Sequence, residues 1–436
     1  MRRVELGNTQ VASSETARGI NRSIILNLIR RRQPISRADL ARISGLQRST
    51  VSLIVEQLIA EKWVINGPVG RAPRGRRPIF LRLNDQRATV VADLRPNYTT
   101  LAVVDVNGNF LAQEAVPTAP DVGRTAAKLA QFLRQQMDAH PEMTFEGIGI
   151  TVPGRFDPRT RRVVFAPNLK WPTSDLATAV ERTTGMRVEL ENEACACLLA
   201  ESWFGIADKV RDLIVVSVSE GIGTGILVNG LLVKGLNGMA GEFGHVQLDS
   251  EGPECGCGRR GCWEVVGSEQ AALRYYSESS GPDGLEFKDL LTLAETGNPL
   301  AVRALEKMAR AIGRGVRMLV TGLAPEEIVV VGEFTRLWQQ VGPIIQAEVA
   351  MATVVGNPPH IRPADNFRME RLRGAVALVL QKHFGAIGAE RPGGSGDIAS
   401  GPGATRRPSL TVRAAPKVRR KSSKRKKRLE VTRAAV

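Results

Sequence analysis

Apolar residues follow two rhythms along this 436-residue chain. In the first, Ile24, Ile25, Leu28 and Ile29 recur at helical spacing and stop at Arg30-Arg31-Arg32 and Pro34, which predicts an amphipathic helix and its end. Ser36 is placed to cap a second helix, Arg37 to Ile43, with Asp39 in its first turn to favour the helix dipole. Gly45 supplies the turn into a third helix, which starts near Gln47 and buries Val51, Ile54, Val55, Leu58 and Ile59. Trp63-Val64-Ile65 and Ile79-Phe80-Leu81-Arg82-Leu83 then read as two strands around a loop rich in glycine and arginine.

The second rhythm begins at residue 88. Val90-Val91-Ala92-Asp93 and Thr100 to Val106 predict strands joined by a tight turn, and a helix bearing Leu129, Phe132, Leu133 and Met137 leads to the strand Gly147-Ile148-Gly149-Ile150. The pattern returns at Leu213-Ile214-Val215-Val216-Ser217-Val218, so two similar α/β halves are expected. After residue 386 the chain is rich in Gly, Pro and Ser and then basic, which predicts disorder. The expected organisation is a flexible 1–19, a head over 20–84, a two-lobed α/β domain over 88–385, and a disordered basic tail over 386–436.

Charge adds a partner. The formal net charge of +16 is divided as +11 over residues 1–87, −6 over the middle and +11 over residues 390–436, so both ends are suited to a polyanion and the body is not. In the head, the third helix presents Gln47, Arg48, Ser49, Thr50 and Ser52, hydrogen-bonding side chains at the start of a helix that can enter a major groove. Arg71, Arg74, Arg76 and Arg77 in the following hairpin suit phosphates or a minor groove. The head is therefore expected to be a mainly α winged helix-turn-helix that contacts double-stranded DNA through these residues and Ser36. The tail is expected to add affinity that is independent of sequence. Met1-Arg2-Arg3 is followed by polar sequence and no apolar run of about 18 residues exists, which points to a cytoplasmic protein with no membrane partner.

Five cysteines are too few and too crowded for an extracellular disulfide framework. Cys255, Cys257 and Cys262 form C-x-C-x4-C in a glycine-rich loop shortly after His245, and three thiolates with one imidazole match the closed tetrahedral set of a structural Zn2+. Cys195 and Cys197, in an Ala/Leu-rich helical run, are expected to be small core residues. Asn168, Glu191-Asn192-Glu193, Glu242 and Glu264 supply the amides and carboxylates that hold vicinal sugar hydroxyls. Gly221-Ile222-Gly223-Thr224-Gly225 after a strand reads equally as a phosphate cradle or as a plain hairpin.

Four segments together resemble the ROK family of repressors, open reading frames and sugar kinases. They are Gly147 to Gly154 (GIGITVPG), Ala166-Pro167-Asn168-Leu169, Gly238 to His245 (GMAGEFGH) and Cys255 to Glu264 (CGCGRRGCWE). The resemblance implies an actin-like ATPase fold of the ribonuclease H-like class. It also implies that Gly154, Asn168, Asn192, Glu242, His245 and Glu264 contact a sugar, with His245 a zinc ligand as well, and that Glu193 stands at the position of the catalytic aspartate of the kinases. A base one methylene longer is misplaced by about 1 Å, which is costly. The kinases' D-x-G-G-T phosphate loop is matched here by Asp93-Leu94-Arg95-Pro96-Asn97-Tyr98, which lacks both glycines, and the later G-G by Gly332-Glu333.

The combined expectation is a sugar-responsive transcriptional regulator of carbohydrate genes. It would be a repressor rather than an enzyme, binding no ATP and acting as a homodimer or homotetramer. Two alternatives stay open: an active ATP-dependent sugar kinase with a fused DNA-binding domain, and a DNA-binding regulator whose ROK domain takes no ligand.

Overall fold

A computed structural model describes residues 14–69, 77–166, 169, 171, 174–205, 210–279, 281–282, 284–351 and 358–385. Asn168, the wing arginines Arg71, Arg74 and Arg76, and the tail from 386 lie outside the described residues.

The head opens with α1 (Ser14–Arg32), which starts inside the segment expected to be flexible. Its buried positions are Ile25, Leu26 and Ile29. Leu28 is only partly buried and Leu26 takes its place, because α1 packs against the body as well as against the head. A short β1 (Ile35–Ser36) precedes α2 (Arg37–Ser44). Ser36 caps α2 by accepting from the Asp39 N–H at 3.2 Å, and Gly45 ends it with φ 74°, a left-handed conformation that glycine takes without a Cβ clash. Then come α3 (Arg48–Ala60), β2 (Val64–Val69) and β3 (Ile79–Leu83), the strands forming an antiparallel sheet in the order β1-β3-β2.

The body has two lobes with one topology. The first contains β4 (Arg87–Leu94), β5 (Tyr98–Asp105), β6 (Phe110–Pro117), α4 (Val122–Ala139), β7 (Thr144–Val152), the small hairpin β8 (Arg155–Asp157) and β9 (Arg162–Phe165), α5 (Leu176–Thr184), β10 (Val188–Asn192) and α6 (Glu193–Phe204). The second contains β11 (Leu213–Val218), β12 (Ile222–Val228), β13 (Leu231–Leu232), α7 (Trp263–Gly267), α8 (Glu269–Glu278), α9 (Phe287–Glu295), α10 (Pro299–Leu323), β14 (Glu327–Val331), α11 (Trp338–Ala350) and β15 (His360–Pro363). The chain ends its described part in α12 (Glu370–Phe384).

The first sheet runs β6-β5-β4-β7-β10 and the second β13-β12-β11-β14-β15, so the strand order repeats element for element. In both, the first three strands pair antiparallel and the last two add parallel. Such sheets are covered on both faces, which is why β4, β5, β7 and β11 are apolar with almost no alternation.

Helices α6 and α12 cross between the sheets at very short range. A Cβ on Gly374 would lie 1.9 Å from the Ala196 carbonyl oxygen, and one on Gly149 would lie 2.3 Å from that of Ala375, so glycine is required at both crossings. This seam places the N-terminal ends of α6 and α12 together at the mouth between the lobes.

The head does not have a core of its own. Ile25, Leu26, Ile29, Trp63 and Leu83 share one buried cluster with Val91, Trp203, Leu380 and Phe384 of the body. Polar contacts fasten the same seat. Asn27 donates to the Phe384 carbonyl at 2.6 Å, and Arg30 donates to the Trp203 carbonyl at 2.6 Å while lying 4.4 Å over the Trp203 ring. Arg87 of β4 stacks 4.0 Å over Trp63, donates to the carbonyl oxygens of Glu61 and Lys62, and pairs with Glu146. The separation into 20–84 and 88–385 read from the sequence is thus a change of chain character and not a gap in packing.

Candidate functional site

Gly241 introduces a short 3-10 turn, Glu242–His245, and the loop that follows returns to its start, where the Trp263 N–H donates to the Val246 carbonyl at 2.8 Å. His245, Cys255, Cys257 and Cys262 converge there, with one ligand atom from each lying within 4.8 Å of the others. The Cys257 and Cys262 sulfurs are 3.7 Å apart, and the Cys255 sulfur is 3.5 Å from His245 Nδ1. A tetrahedral ion with bonds of about 2.3 Å to sulfur and about 2.0 Å to nitrogen has edges of about 3.8 Å and about 3.5 Å. The residues therefore fit a metal ion of zinc's size and preference. The spacing is far beyond a disulfide, and all five cysteines are free.

The other face of the same histidine opens on a cavity of about 220 Å³ between the lobes. Gly154, Asn192, Glu193, Glu242, His245 and Glu264 all line it, so the described members of the expected sugar set come to one place. His245 Nε2 lies 3.8 Å from Glu242 Oε2, while its Nδ1 faces the thiols. One imidazole thus joins the candidate metal ligands and the cavity. Glu264, from α7, sits beneath the β11–β12 turn and accepts from the Ile222 N–H at 3.4 Å; burial raises its carboxyl above its ordinary value, against the pull of His245.

Asn192 has a structural duty as well. Its Oδ1 accepts from the N–H groups of Ala194 and Cys195, capping α6, and its Nδ2 donates to the Gly154 carbonyl at 3.0 Å. Gly154 itself has φ 108°, and a Cβ there would lie 2.2 Å from the Phe165 carbonyl oxygen. Sequence reasoning missed Lys234, which lines the cavity and pairs at 2.8 Å with the buried Glu191. Burial works to lower the Lys234 pKa, but Glu191 outweighs it and holds the amine above its ordinary value. Cys197 is buried as expected, whereas Cys195 stands at the cavity wall.

Deeper in the cleft, four charged side chains lock together. Arg371, from the first turn of α12, lies 2.9 Å from Glu193 and 3.9 Å from Asp93; Arg95 lies 3.0 Å from Asp93, and Thr151 donates to Asp93 at 2.6 Å. The Arg371 side chain is only 5% exposed and that of Glu193 12%. Burial pushes the Glu193 carboxyl above its ordinary value while Arg371 opposes the push, and Arg371 is held above the usual guanidinium value mainly by Glu193 and Asp93 against the desolvation of burial.

A family model described as the ROK family matches residues 92–382. The chain belongs to the ROK family. The xylose repressor of Bacillus subtilis (strain 168) is 29% identical over 382 residues, spanning 86% of this chain and 98% of that protein. The DNA-binding transcriptional dual regulator NagC of Escherichia coli (strain K12) is 27% identical over 396 residues, spanning 87% and 97%. The crystal structure of a ROK family transcriptional regulator, a homologue of the E. coli MLC protein, shares the fold with TM-score 0.70 at 24% identity, covering 84% of this chain and 99% of that one.

Within this ROK chain the glycine-rich turn resolves as a hairpin. A Cβ on Gly223 would lie 2.9 Å from the Ala194 Cβ and one on Gly225 2.7 Å from the Ala194 carbonyl oxygen, so these glycines let β12 lie against α6. The Asp93 to Tyr98 run is a tight β4–β5 turn closed by the Arg95 N–H to the Tyr98 carbonyl at 3.0 Å. Glu333 lies 3.8 Å from Arg336 and 4.0 Å from Arg368.

In the head, Gln47, Arg48, Ser49 and Arg77 are exposed, and Thr50 and Ser52 are half-buried. Ser36 departs from expectation. It is only 5% exposed, and its hydroxyl donates to Asp39 Oδ2 at 2.7 Å while accepting from the Asp39 N–H, so helix capping uses it and it is withdrawn from the DNA-contact set. No helix among the described residues is long and apolar enough to cross a membrane.

Proposed function

We propose that this chain is a sugar-responsive transcriptional repressor. Helices α1 to α3 and the β2–β3 hairpin act as a winged helix-turn-helix on operator DNA, through Gln47, Arg48, Ser49, Thr50, Ser52 and the wing arginines Arg71, Arg74, Arg76 and Arg77. The cavity holds the effector, with Gly154, Asn168, Asn192, Glu193, Glu242, His245 and Glu264 as its walls, and His245, Cys255, Cys257 and Cys262 hold a structural zinc that fixes the His245 ring. The working form is a homodimer or homotetramer that pairs two heads on one operator.

The observation that carries this reading is the run of α12. Its first turn sets Arg371 against Glu193 in the cleft, and its last turn sets Phe384 against α1 and Trp63 of the head. A ligand that shifts the lobes acts on an element the head is packed against, which gives effector binding a physical route to operator affinity. The full-length similarity to the xylose repressor and NagC supports the same assignment.

The test is a thermal-shift panel of free and phosphorylated pentoses, hexoses and N-acetylated hexosamines. One class raises the melting temperature, by an amount equivalent to about 2.7 kcal/mol at a hundred times its Kd. The Glu242→Gln variant loses that shift and keeps its metal content. A panel with no stabilising sugar overturns the sensor half of the proposal.

The kinase alternative has its own assay. Arg371 is already paired with Glu193 and Asp93, and Arg95 with Asp93, the residues that the family resemblance aligns with the base and the phosphate loop, which supports the reading without kinase activity. A coupled assay with ATP and the stabilising sugar is expected to show no turnover above the enzyme-free control; steady phosphorylation would restore the kinase reading.

A further inference from the structure

Helix α3 turns one apolar side chain to the outside. Val51, Ile54, Val55 and Leu58 form its buried face, while Leu53 on the opposite side is 68% exposed. Leu53 is four residues from Ser49, so the two stand together on the outward face, one turn apart, with the exposed Gln47 and Arg48 at the helix start. Among the described residues of α3 it is the large hydrophobic side chain that is left exposed. Burial in the head does not explain it, because the buried cluster takes Val51, Ile54, Val55 and Leu58 from α3 and leaves Leu53 out.

We propose that Leu53 reads a thymine methyl group in the major groove of the operator. The inference rests on the DNA-binding reading above and goes further by assigning a base preference to one residue. The occupant follows from two observations. Residues 1–87 carry a net charge of +11, which suits a polyanion and does not suit a second copy of the same head. On the major-groove edges of the four base pairs, the donors and acceptors are polar and the C5 methyl of thymine is the one apolar group. A leucine that reaches those edges finds a matching surface at A·T pairs and leaves polar atoms desolvated at G·C pairs. It therefore discriminates without forming a hydrogen bond.

The experiment uses the full chain and a randomised duplex pool. The wild-type protein enriches a sequence from this pool, and each thymine of the enriched duplex is then replaced singly by deoxyuridine, which removes the methyl and leaves the pairing edge unchanged. At one position per half-site the wild-type affinity is expected to fall about fourfold for each methyl removed, as for loss of one buried methylene-sized group. Leu53→Ala binds the thymine and deoxyuridine duplexes equally, and Leu53→Met keeps part of the discrimination. Both variants melt with the wild type, since the side chain is outside the core.

Equal binding by the wild type to every deoxyuridine duplex overturns the proposal and leaves the DNA-binding reading intact. Full discrimination retained by Leu53→Ala does the same. Failure of the wild type to enrich any sequence overturns the DNA-binding reading, and this inference with it.

Discussion

Replacing Arg371 by methionine is expected to destabilise the protein by about 3–5 kcal/mol, the range for removing one partner of a buried ion pair. The guanidinium is the common partner of Glu193 and Asp93, and without it the buried Glu193 loses its ion-pair partner while Asp93 keeps Arg95. The pH dependence identifies the cause. Burial already holds the Glu193 carboxyl above its ordinary 4.5, and loss of Arg371 removes the main opposing influence, so the folded variant binds more protons than the unfolded chain. Stability of the variant relative to wild type therefore falls as pH rises past the raised wild-type value of Glu193, where wild type ionises and the variant stays protonated, and the deficit closes as pH is lowered below it. Chemical denaturation across this range checks the sign, and Arg371→Met combined with Glu193→Gln should regain a large part of the loss. A variant equally impaired at every pH would show that packing and not charge is responsible.

Cys257→Ser is expected to have an effect of similar size through the metal. Structural zinc sites hold their ion with an apparent 10–16 kcal/mol at neutral pH, of which a part orders the loop and the rest is stability of the fold. Elemental analysis should give one zinc per wild-type chain and a small fraction of that in the variant. The melting temperature should fall, and chelation of the wild type should reproduce the fall. The sugar-induced shift should vanish together with the metal, because His245 loses its anchor on one ring nitrogen while keeping Glu242 near the other. A zinc-free variant that still responds to the sugar would separate the two sites.

What the sequence made legible follows the distance over which each feature is encoded. The caps Ser36 and Gly45 act within a single turn of backbone, and both can be read directly. The candidate metal ligands lie close together along the chain, from His245 to Cys262, so their spacing alone brings them to notice. The cavity is different. Gly154, Asn192, Glu242 and Glu264 come from four separate places; residue chemistry groups the amide and the two carboxylates, the family resemblance adds Gly154, and the fold brings all four to one wall. Arg371 left no signal of its own, because Glu370 and Arg373 flank it as equal charges in the first turn of α12, and its partners Glu193 and Asp93 are remote in sequence. Ser36 shows the converse error: a polar residue beside a DNA-binding element invites a contact role, and local hydrogen bonding has already consumed it. The buried phase of α1 was displaced for a related reason, since periodicity reports that a helix has an apolar face and not how many neighbours share it.

The shared core under the head also bears on inheritance and engineering. Proteins that couple a reader to a sensor are often pictured as cassettes, with the reader free to be exchanged at a linker. Here a cut at residue 84 would strip the cover from Trp203, Leu380 and Phe384 and leave Trp63 without its ring neighbours His383 and Phe384. The heritable unit is therefore the head together with its seat on α6 and α12. A graft that respects this boundary transplants a new operator preference with its sensor attached, whereas one placed at the apparent linker transplants two exposed apolar faces.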